Sequence, residues 1–560
     1  MDIMGISCFY HDSSACLVRD GKIIAAAQEE RFSRKKNTEA FPIEALNYCI
    51  QEGNILFEDL QGIGYFEKPY LKLSRVLIEH LNQFPFSLKS FLRSMPQWMD
   101  NRLILPLVIE EELSTKAPVH FFKHHLSHAA SAYLPSPFDE AAIMTCDGVG
   151  EWTTMSLGVG LGSNIKINNE ICYPDSIGLL YTTFTVYLGF HAHGGEGKTM
   201  GLAAYGETTF LKQMNEIIQI FEDGSFKLNQ KYFSYRRGQK MWNQHFEKLF
   251  GTARLPKEDF QQRHYDIAAS LQLTIEKIFI LSARYLQEKS KSTNLCLAGG
   301  VTLNCVANAK ILENTDFTNI YVQPAAGDAG GAIGAALYLA NTIYLEPRHS
   351  LPHSYLGPEF SEYEILKAIK SSGFQNFKKL TEEELVENAA QFIFQNKTVG
   401  WFQGKMEFGP RSLGGRSILA NPCSADMKDI LNLKVKKRES FRPFAPIVLQ
   451  ERCEEFFELN ISSPYMLLAP KVRSHMRSVL PAITHADSTA RVQTLGKDEN
   501  PLLRKLILAF ERKSGVPILI NTSFNRNGEP VVCKPVHALD CFLNTGLEAL
   551  AIGPYWLEKR

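Results

Sequence analysis

The sequence lacks a net charge, a cysteine-pair motif and a long apolar run, and each of these absences argues against one class of protein. Its 60 lysine and arginine residues balance 60 acidic residues, which argues against the broad cationic face of a nucleic-acid-binding protein. Its eleven cysteines form no CxxC pair, so neither a zinc knuckle nor a disulfide framework is indicated. No apolar stretch approaches the roughly 20 residues that a membrane span needs.

The N-terminal stretch agrees with these exclusions. Residues 1–15 read MDIMGISCFYHDSSA, which predicts a strand entering a polar turn and not a signal peptide. Scattered cysteines without a pairing pattern are typical of a reducing cytoplasm. We therefore expect a cytoplasmic protein with no membrane partner and no nucleic-acid partner.

The chain is too long for a single compact core. With 560 residues, 45% of them hydrophobic, two or more domains are expected. The proline-rich segment EPRHSLPHSYLGPEFSE at 346–362 interrupts the periodic pattern and is typical of a linker. We predict a first domain at 1–345 and a second α/β domain at 363–560, in which Thr381 caps a helix.

Two similar strand–turn–strand units indicate an internal duplication. The first is IMGISCFYHDSSACLVRDGKIIAAAQEERF at 3–32, with a hairpin predicted at Asp20 and Gly21. The second, DEAAIMTCDGVGEWTTMSLGVG at 139–160, again runs from an apolar strand into a polar turn. Both favour an α/β domain built from two related halves.

Two later segments predict strand–loop–helix units with glycine in the loop. They are NLCLAGGVTLNCVANAKILEN at 294–314 and NIYVQPAAGDAGGAIGAALYLA at 319–340. Glycine lets a ligand approach the backbone, and the N-terminus of the following helix attracts phosphate. The pattern favours a nucleotide site. The alternative is a pair of tight turns that only connect a strand to a helix.

A histidine cluster is unusual in a chain with only 15 histidines. Three of them lie within residues 124–128, and His124 and His128 share one face if the segment is helical. Asp147 and Asp328, each at a strand end or turn, complete a set of two imidazoles and two carboxylates. This set suits six-coordinate Fe(II) or Mn(II) better than structural zinc. The alternative is a polar helix start and two turn or cap aspartates.

The glycine-rich segment HGGEGKTMGLAAYG at 193–206 carries Lys198. Backbone N–H groups and a lysine of this kind can hold phosphate. The segment is not a Walker loop, because alanine stands five residues before Gly197. The alternative is a flexible surface loop.

Arginines among glycines and prolines predict a small-anion pocket in the C-terminal part. These residues are Arg411, Arg416, Arg442 and Arg491. The strand end LINTSFNRNGEP at 519–530 adds the polar side chains of Asn521 and Ser523. Guanidinium groups pair with phosphate or carboxylate oxygens in a bidentate manner. At each arginine the alternative is a solvated surface residue.

Nine ordered blocks carry a resemblance to a known family. They are YHDSSACLV, HHLSHAASAY, CDGVGEW, GGEGKTMGLAAYG, LAGGVTLNC, PAAGDAGGAIGAAL, FGPRSLGGRSILANP, FRPFAP and NTSFNRNGEP. In this order, from residue 3 to about residue 535, the chain resembles the O-carbamoyltransferases of nodulation-factor and antibiotic biosynthesis.

The resemblance implies a fold and a reaction. The fold would be a duplicated actin-like ATPase (ASKHA) domain, similar to the transferase of tRNA threonylcarbamoyl-adenosine synthesis, followed by a YrdC-like α/β domain. Carbamoyl phosphate and ATP, with magnesium, would form carbamoyl-AMP with loss of phosphate and pyrophosphate. The carbamoyl group would then pass to a hydroxyl of a small natural-product acceptor.

The resemblance also implies roles for individual residues. The metal, Fe(II) with Mn(II) or another divalent ion as alternatives, would be held by His124, His128, Asp147 and Asp328. The adenylate would lie against Asp147, Gly148, Val149, Gly150, Glu151, Ser176, Lys198, Gly300 and Asn304. Carbamoyl phosphate would lie against Arg411, Arg442, Arg491, Asn521 and Ser523. His11 would be the catalytic residue near the acceptor, where an imidazole can accept the hydroxyl proton.

Three other functions stay open at this stage. A tRNA-modifying enzyme would need a basic surface that follows RNA, and the neutral charge balance argues mildly against it. A non-catalytic actin-like ATP-binding protein would leave the histidine pair and the arginine turns unexplained. A sugar kinase of the same superfold would need no C-terminal anion pocket. The acceptor, the oligomeric state and the role of the aromatic-rich segment 70–115 are not indicated by the sequence.

Overall fold

A computed structural model describes residues 1–98, 102–237 and 240–559. The chain divides into two compact units. Unit 1 consists of residues 1–26 and 39–351, and unit 2 of residues 27–38 and 352–560. The short excursion of residues 27–38 into unit 2 is a feature that the sequence pattern does not indicate.

Unit 1 contains two five-stranded sheets and a two-stranded ribbon. Their strands are β1 (Asp2–Ser7), β2 (Ser14–Arg19), β3 (Lys22–Gln28), β4 (Gly62–Tyr65), β5 (Val119–Phe121), β6 (Glu140–Cys146), β7 (Thr153–Leu161), β8 (Asn164–Cys172), β9 (Ile218–Ile220), β10 (Phe226–Leu228), β11 (Asn294–Ala298) and β12 (Asn319–Val322). The sheet orders are β3-β2-β1-β4-β5 and β8-β7-β6-β11-β12, and β9 pairs with β10.

The two five-stranded sheets repeat one topology. Strand β1 pairs antiparallel with β2 and parallel with β4, just as β6 pairs antiparallel with β7 and parallel with β11. Numbered within each half, both sheets have the order 3-2-1-4-5. Two copies of this sheet in one chain form an actin-like ATPase fold, so the predicted duplicated domain is confirmed.

Helices connect and cover these strands. In chain order they are α1 (Glu30–Ser33), α2 (Ile43–Gly53), α3 (Pro69–Asn82), α4 (Leu88–Gln97), α5 (Leu105–Leu113), α6 (His124–Tyr133), α7 (Ile177–Tyr187), α8 (Glu196–Ala203), α9 (Leu211–Ile217), α10 (Gln244–Phe250), α11 (Gln262–Ser290), α12 (Cys305–Asn314) and α13 (Ala329–Leu337). Helix α1 belongs to the excursion that joins unit 2.

Helix α13 packs unusually close to β1 and α6 because its sequence, AGGAIGAAL, consists almost entirely of small residues. A Cβ atom added to Gly5 of β1 would lie 1.9 Å from the carbonyl oxygen of Ala332. A Cβ atom added to Gly334 would lie 1.8 Å from the carbonyl oxygen of Ser127 in α6. These close contacts fix the start of α13, and therefore Asp328, relative to the histidine-bearing helix.

Two local predictions from the sequence are confirmed. Asp20 and Gly21 form the two-residue turn between β2 and β3, with φ angles of 49° and 76°, as a tight hairpin requires. Thr381 caps helix α15 of unit 2 (Glu382–Phe394): its side chain accepts a hydrogen bond from the backbone N–H of Glu384.

Unit 2 is built on a mixed eight-stranded sheet. Its strands are β13 (Phe377–Lys379), β14 (Val399–Phe402), β15 (Arg416–Ala420), β16 (Ala445–Leu449), β17 (Gln493–Leu495), β18 (Ile518–Ser523), β19 (Ala549–Ile552) and β20 (Tyr555–Glu558), and its further helices are α14 (Glu362–Ser371), α15, α16 (Met427–Asp429), α17 (Cys453–Phe456), α18 (Pro501–Ser514) and α19 (Pro535–Leu543). The strand order is β13-β20-β19-β14-β15-β18-β16-β17. A YrdC-like fold for this unit stays a prediction.

The excursion of residues 27–38 is held in unit 2 by arginine–carbonyl hydrogen bonds. Arg31 donates to the carbonyl oxygen of Gly409 over 2.7 Å, and Arg34 donates to those of Pro530 and Val531 over 2.7 Å and 2.6 Å. The second domain therefore takes residues from both ends of the sequence, whereas the pattern predicts a purely sequential arrangement.

The predicted linker at 346–362 has no helix or strand until α14 begins at Glu362. Its first part is nevertheless firmly anchored in unit 1, because Arg348 donates to the carbonyl oxygens of Tyr133 and Gly162 over 2.9 Å and 2.7 Å. The division between the units falls between Leu351 and Pro352.

The segment 70–115 forms α3 to α5 and exposes many large apolar side chains, among them Leu81, Phe84, Phe86, Leu92 and Leu107. Residues 99–101 of the segment lie outside the described residues. A contribution of this segment to an acceptor pocket or a subunit contact stays a prediction. Among the helices of the described ranges, none has the length and apolarity needed to cross a bilayer.

We predict that Gly334→Ala destabilises unit 1, because the new methyl group collides with the Ser127 carbonyl oxygen. Overpacking of this kind lowers the free energy of unfolding by about 1–3 kcal/mol, which a denaturant titration measures. Gly197→Ala is the matched control, because Gly197 lies in helix α8 with open space at its Cβ position. Equal stability of the two variants would contradict the packing described for α13.

Candidate active site

Three separate parts of unit 1 bring four predicted metal ligands together. Helix α6 carries His124 and His128, Asp147 follows β6 directly, and Asp328 immediately precedes α13. One potential ligand atom from each of the four residues lies within 4.8 Å of all the others. The histidine pair therefore does not form an exposed helix start: both rings are buried.

The donor atoms point at one another. Asp147 Oδ2 lies 2.9 Å from His124 Nε2 and 3.3 Å from His128 Nε2, and the two Nε2 atoms are 3.1 Å apart. Asp328 Oδ1 lies 3.7 Å from each Nε2 atom. Both Asp328 oxygens are buried and have no hydrogen-bond partner within the described ranges. A buried carboxylate in this state requires a compensating cation.

The local electrostatics favour bound positive charge. Burial opposes ionisation of Asp147, but His124 and His128 outweigh it and hold the pKa of this carboxyl well below its usual range. Burial also opposes the charged form of His128, but the carboxylates of Asp147 and Asp328 raise its pKa to about 9. Either protonated imidazoles or a divalent cation can balance the two carboxylates. Donor chemistry and geometry thus fit a cation.

Glu151 and Gly150 position His124. The Glu151 carboxylate accepts hydrogen bonds from the backbone N–H groups of His124 and Lys68, over 3.0 Å and 2.8 Å. A Cβ atom at Gly150 would lie 2.9 Å from the Cβ of His124. The residues just after Asp147 thus cap and accommodate the helix that carries the histidines. The carboxylate of Glu151, predicted to face the adenylate, is occupied by these helix-capping bonds.

His11 lies beside the four-residue cluster. Its Nε2 atom is 3.6 Å from Asp328 Oδ2, and its Nδ1 atom is 2.9 Å from Asp12 Oδ2. Burial disfavours the imidazolium, but Asp328 and Asp12 outweigh that effect and raise the pKa of His11 to about 10. The proton on His11 is therefore held by the same carboxylate, Asp328, that belongs to the cluster.

His193 is a neighbour that the sequence reasoning missed. Its ring centroid lies 4.8 Å from that of His11. Burial and the nearby His11 both lower the pKa of His193. The glycine-rich segment at 193–206 supplies this residue, so the signal was present, but only the phosphate-binding potential of the segment was considered.

Several predicted adenylate residues surround the backbone after β6. The N–H of Gly300 donates to Asp147 Oδ1 over 3.1 Å, and the Ser176 hydroxyl donates to the carbonyl oxygen of Gly148 over 2.6 Å. Gly148 itself has open space where a Cβ would be. Asp147, Gly148, Ser176 and Gly300 therefore form one connected loop region, in which Gly148 leaves the backbone accessible.

Asn304 and Lys198 are placed differently. The Asn304 side chain caps α12 and exchanges hydrogen bonds with Gln272 over 2.8 Å and 3.1 Å. Lys198 lies in the first turn of α8, and its ammonium group is 5.5 Å from the ring centroid of Phe190. The structure thus gives Asn304 a helix-capping role, and it places the Lys198 ammonium over the ring of Phe190.

In unit 2, strand β18 and the segment 411–413 share a hydrogen-bond network. Asn521 donates to Gln493 Oε1 over 2.7 Å and to the carbonyl oxygen of Ser412 over 3.3 Å. Gln493 in turn donates to the carbonyl oxygen of Leu413 over 2.8 Å. The network ties the segment that carries Arg411 to β17, which begins two residues after Arg491. The Oδ1 atom of Asn521 is buried without a hydrogen-bond partner in the described part of the chain.

The guanidinium groups of unit 2 are close enough to disfavour one another. Burial is the main cause that lowers the pKa of Arg442, and the charge of Arg491 lowers it further. Arg411, Arg442 and Arg491 are all partly accessible to solvent. Such a concentration of cations attracts an anion. Ser523 differs, because its hydroxyl donates to Asn525 Oδ1 over 2.7 Å and lies 3.3 Å from Lys436 Nζ.

Arg416 does not belong to this group, contrary to the sequence pattern. Its side chain is fully buried and donates to the carbonyl oxygens of Pro358, Gln403 and Gly404 over 2.9 to 3.0 Å. Its guanidinium also lies 3.8 Å from the ring centroid of Phe402. Arg416 therefore stabilises the fold, because main-chain carbonyls satisfy the donors that an anion would need.

The loop that carries Arg411 is organised by a buried residue that the sequence did not single out. One oxygen of Glu407 accepts hydrogen bonds from the backbone N–H groups of Leu413, Gly415 and Arg416 over 2.7, 2.7 and 3.2 Å. The three backbone N–H groups bind this carboxylate as they would bind a free anion, and the bonds hold the loop in its conformation. In the sequence, Glu407 stands immediately before FGPRSLGG, and an acidic residue next to this glycine-rich segment was the available signal.

Comparison with protein families agrees with this geometry. A family model described as the carbamoyltransferase N-terminus matches residues 2–337, and one described as the carbamoyltransferase C-terminus matches residues 390–559. The chain belongs to the carbamoyltransferase family. It is therefore an enzyme, which removes the non-catalytic ATP-binding protein as an alternative.

Curated relatives of this carbamoyltransferase cover most of its length. An uncharacterised protein of Synechocystis is 44% identical over all of this chain and 96% of its own length. Nodulation protein NolNO of Sinorhizobium fredii is 37% identical over 99% of this chain and 79% of its own. Nodulation protein NolO of Bradyrhizobium diazoefficiens is 37% identical over 78% of this chain and 79% of its own.

Similarity to solved structures is remote. HypF of T. kodakarensis covers 62% of this carbamoyltransferase and 48% of its own chain, with 14% identity and a TM-score of 0.34. The fold assignment therefore depends on the repeated sheet topology.

We predict that Glu151→Ala destabilises the carbamoyltransferase, because two N–H groups at helix starts, the buried one of His124 and the partly buried one of Lys68, lose their acceptor. The expected loss is about 1–2 kcal/mol in the free energy of unfolding, measured by denaturant titration. Glu151→Gln keeps an acceptor and should lose less. The control Glu313→Ala removes only an exposed ion pair with Lys310. If Glu151→Ala were as stable as this control, the capping role would be wrong.

Proposed function

We propose that this carbamoyltransferase forms carbamoyl-AMP from carbamoyl phosphate, water and ATP, with release of phosphate and pyrophosphate. It then transfers the carbamoyl group to a hydroxyl of a small acceptor, with release of AMP. The observation that carries the proposal is the presence of two differently charged clusters in the two units. One has buried carboxylates and imidazoles, and the other has guanidinium groups. Two half-reactions with different charge requirements account for both.

The chemistry of the carbamoyl group explains why activation is needed. Nitrogen donates electron density into the carbamoyl carbon, which is therefore a poor electrophile. Adenylation supplies a good leaving group, and groups that stabilise negative charge on the departing AMP promote transfer. Simultaneous binding of the acceptor and the adenylate adds the gain from proximity.

Unit 2 is the site proposed for adenylate formation. Arg411, Arg442 and Arg491 are suited to phosphate oxygens because guanidinium groups form paired, charge-assisted hydrogen bonds. The Asn521 Oδ1 atom, which has no hydrogen-bond partner among the described residues, is an acceptor that suits the amino group of carbamoyl phosphate. Ser523 and the network through Gln493 hold this set in place.

Unit 1 is the site proposed for transfer. His124, His128, Asp147 and Asp328 would hold a divalent metal, for which we propose Fe(II), with Mn(II) as the alternative. A metal there would bind the adenylate phosphate and stabilise charge on the leaving AMP. Gly148 leaves the backbone of this loop region accessible, and the N–H of Gly300 donates to Asp147 in the same region. Lys198 at the start of α8 is proposed to contact the phosphate.

His11 is the residue proposed to accept the proton of the acceptor hydroxyl. Its Nε2 atom faces Asp328 and its Nδ1 atom faces Asp12, so both ring nitrogens are oriented by carboxylates. Asp12 can keep the ring in the tautomer that leaves Nε2 free to accept a proton once the charge of Asp328 is balanced. The ring of His193 packs against the ring of His11 and restricts its movement.

We expect a cytoplasmic enzyme whose acceptor is a small hydroxylated metabolite and not a tRNA. The equal numbers of basic and acidic residues support a small acceptor, because RNA binding needs excess positive charge on one face. Mass spectrometry of the enzyme with ATP and carbamoyl phosphate against a panel of hydroxylated natural products, with tRNA as a further arm, identifies the acceptor.

We predict that substitutions in the two units separate the two half-reactions. His124→Ala should abolish carbamoyl transfer but leave carbamoyl-phosphate-dependent ATP–pyrophosphate exchange largely intact, because it removes a proposed metal ligand of unit 1. Arg442→Ala should stop the exchange, because it removes a phosphate-binding cation of unit 2. His245→Ala and Arg512→Met, at exposed positions, are the controls. Full product yield from both test variants would overturn the site assignment.

We also predict that metal removal affects only the transfer step. After chelation and dialysis into magnesium, the enzyme should retain ATP–pyrophosphate exchange but lose transfer, and Fe(II) or Mn(II) should restore it. His128→Ala should show no restoration, whereas His245→Ala should behave like the unaltered enzyme. Undiminished transfer by the chelated enzyme, with its metal content shown to be negligible, would contradict a role for the cluster in this step.

A further inference from the structure

Unit 2 carries a further cation next to its proposed phosphate-binding arginines. Arg438 lies four residues before Arg442, and the charges of Arg442 and Arg491 both act on it. Burial, followed by these two charges, lowers the pKa of Arg438 to about 8. Glu439 is the acid that acts on both Arg438 and Arg442. Three guanidinium groups therefore repel one another beside the Glu439 carboxylate.

Arg438 is held in this unfavourable position by two specific contacts. Its Nε atom donates to Asn432 Oδ1 over 2.7 Å, and its guanidinium carbon lies 4.7 Å from the ring centroid of Phe444. Its Nη1 and Nη2 atoms have no hydrogen bond to another residue of the described ranges. The outer edge of the fork thus remains available to an oxyanion, while the inner edge is fixed.

A single buried amide connects Arg438 with Arg442. Asn432, which is 0% exposed, lies in the π-helical turn Ile430–Lys436. Its Nδ2 atom donates to the carbonyl oxygen of Arg442 over 3.1 Å, while its Oδ1 atom accepts from Arg438. Its main-chain carbonyl also accepts from the N–H of Arg438 over 3.0 Å. Both donor and acceptor of the amide are needed, which distinguishes asparagine from aspartate.

The neighbouring Lys436 is excluded from the same role. Its ammonium group is buried and contacts Asn525 Oδ1 over 2.9 Å and the oxygens of Ser523. Those oxygens already occupy its donors, so Lys436 stabilises the end of β18. Arg438 is therefore an additional cation whose outer donors, Nη1 and Nη2, remain available.

We propose that Arg438 is a further binding residue for a phosphate oxyanion in unit 2, and that Asn432 positions it together with Arg442. The inference rests on the proposed function, since adenylate formation brings two polyanions, carbamoyl phosphate and ATP, into one site. Their mutual repulsion requires more positive charge than one phosphate group needs. Either substrate presents the same phosphate chemistry to Arg438.

The test is ATP–pyrophosphate exchange by the full-length enzyme, with each substrate varied in turn. Arg438→Met should raise the KM for carbamoyl phosphate or for ATP by about tenfold or more, with a smaller effect on kcat. The substrate affected identifies which phosphate Arg438 binds. Arg438→Lys should retain part of the affinity, because it keeps the charge but not the fork. Arg512→Met is the matched control at an exposed ion pair with Glu387.

The positioning role of Asn432 has its own readout. Asn432→Asp preserves the size and the acceptor but loses the donor to Arg442 and adds a negative charge. It should raise the same KM as Arg438→Met, and the double variant should show less than the product of the two single effects, because both act on one group. Purely structural damage would lower thermal stability and the yield of active enzyme without this selective change in KM.

A binding measurement separates failure of this inference from failure of the proposed function. Inorganic phosphate should raise the unfolding temperature of the unaltered enzyme and of Arg512→Met, and raise it less for Arg438→Met. No exchange activity in the unaltered enzyme would reject the proposed function but leave this phosphate test intact. If the unaltered enzyme is active in exchange, unchanged KM values for Arg438→Met would overturn the inference. If it is inactive, equal stabilisation of Arg438→Met and the unaltered enzyme by phosphate would overturn it.

Discussion

The buried carboxylate of Asp328 and the largely buried one of Asp147 require positive charge, and they determine how unit 1 is organised. Asp147 and Asp328 lie within a few ångströms of the same pair of imidazoles, and both oxygens of Asp328 lack a hydrogen-bond partner in the described residues. Such a group is costly to bury unless a cation is close. The small residues of α13 and the cap on α6 keep the group together, so packing and chemistry depend on the same contacts.

The duplicated sheets explain why these residues meet although they are distant in the sequence. In each half, the loop after the first strand carries a polar group: His11 and Asp12 follow β1, and Asp147 follows β6. The last strand of the second half leads into Asp328. In α/β sheets, ligands bind beyond the carboxyl ends of strands. The topology therefore concentrates chemical groups at one place, while local sequence shows only isolated turns.

The sequence was informative where short-range rules act. The hairpin at Asp20 and Gly21, the cap at Thr381 and the common helical face of His124 and His128 follow from local conformational preferences. It was less informative where tertiary contacts decide. Arg416 shares its glycine-rich setting with Arg411, but only the fold shows that carbonyl groups surround it.

Most of the residues missed by sequence reasoning have partners far away in the chain; Glu407, whose partners are six to nine positions away, is the exception. Gln493 joins two segments about 80 residues and 28 residues away, and no local pattern announces this. Residues 27–38 join unit 2 through arginine–carbonyl bonds over more than 370 positions. His193 was visible as a histidine, but its contact with His11 depends on tertiary structure. A single sequence thus predicts the chemically active residues better than the residues that hold them in place.

The most direct test of the proposed metal centre is anomalous X-ray diffraction from crystals of the enzyme grown with Fe(II) or Mn(II). We expect a single anomalous peak within about 2.0–2.3 Å of donor atoms from His124, His128, Asp147 and Asp328. Full occupancy of metal at another position, with these four side chains bound only to one another or to water, would contradict it.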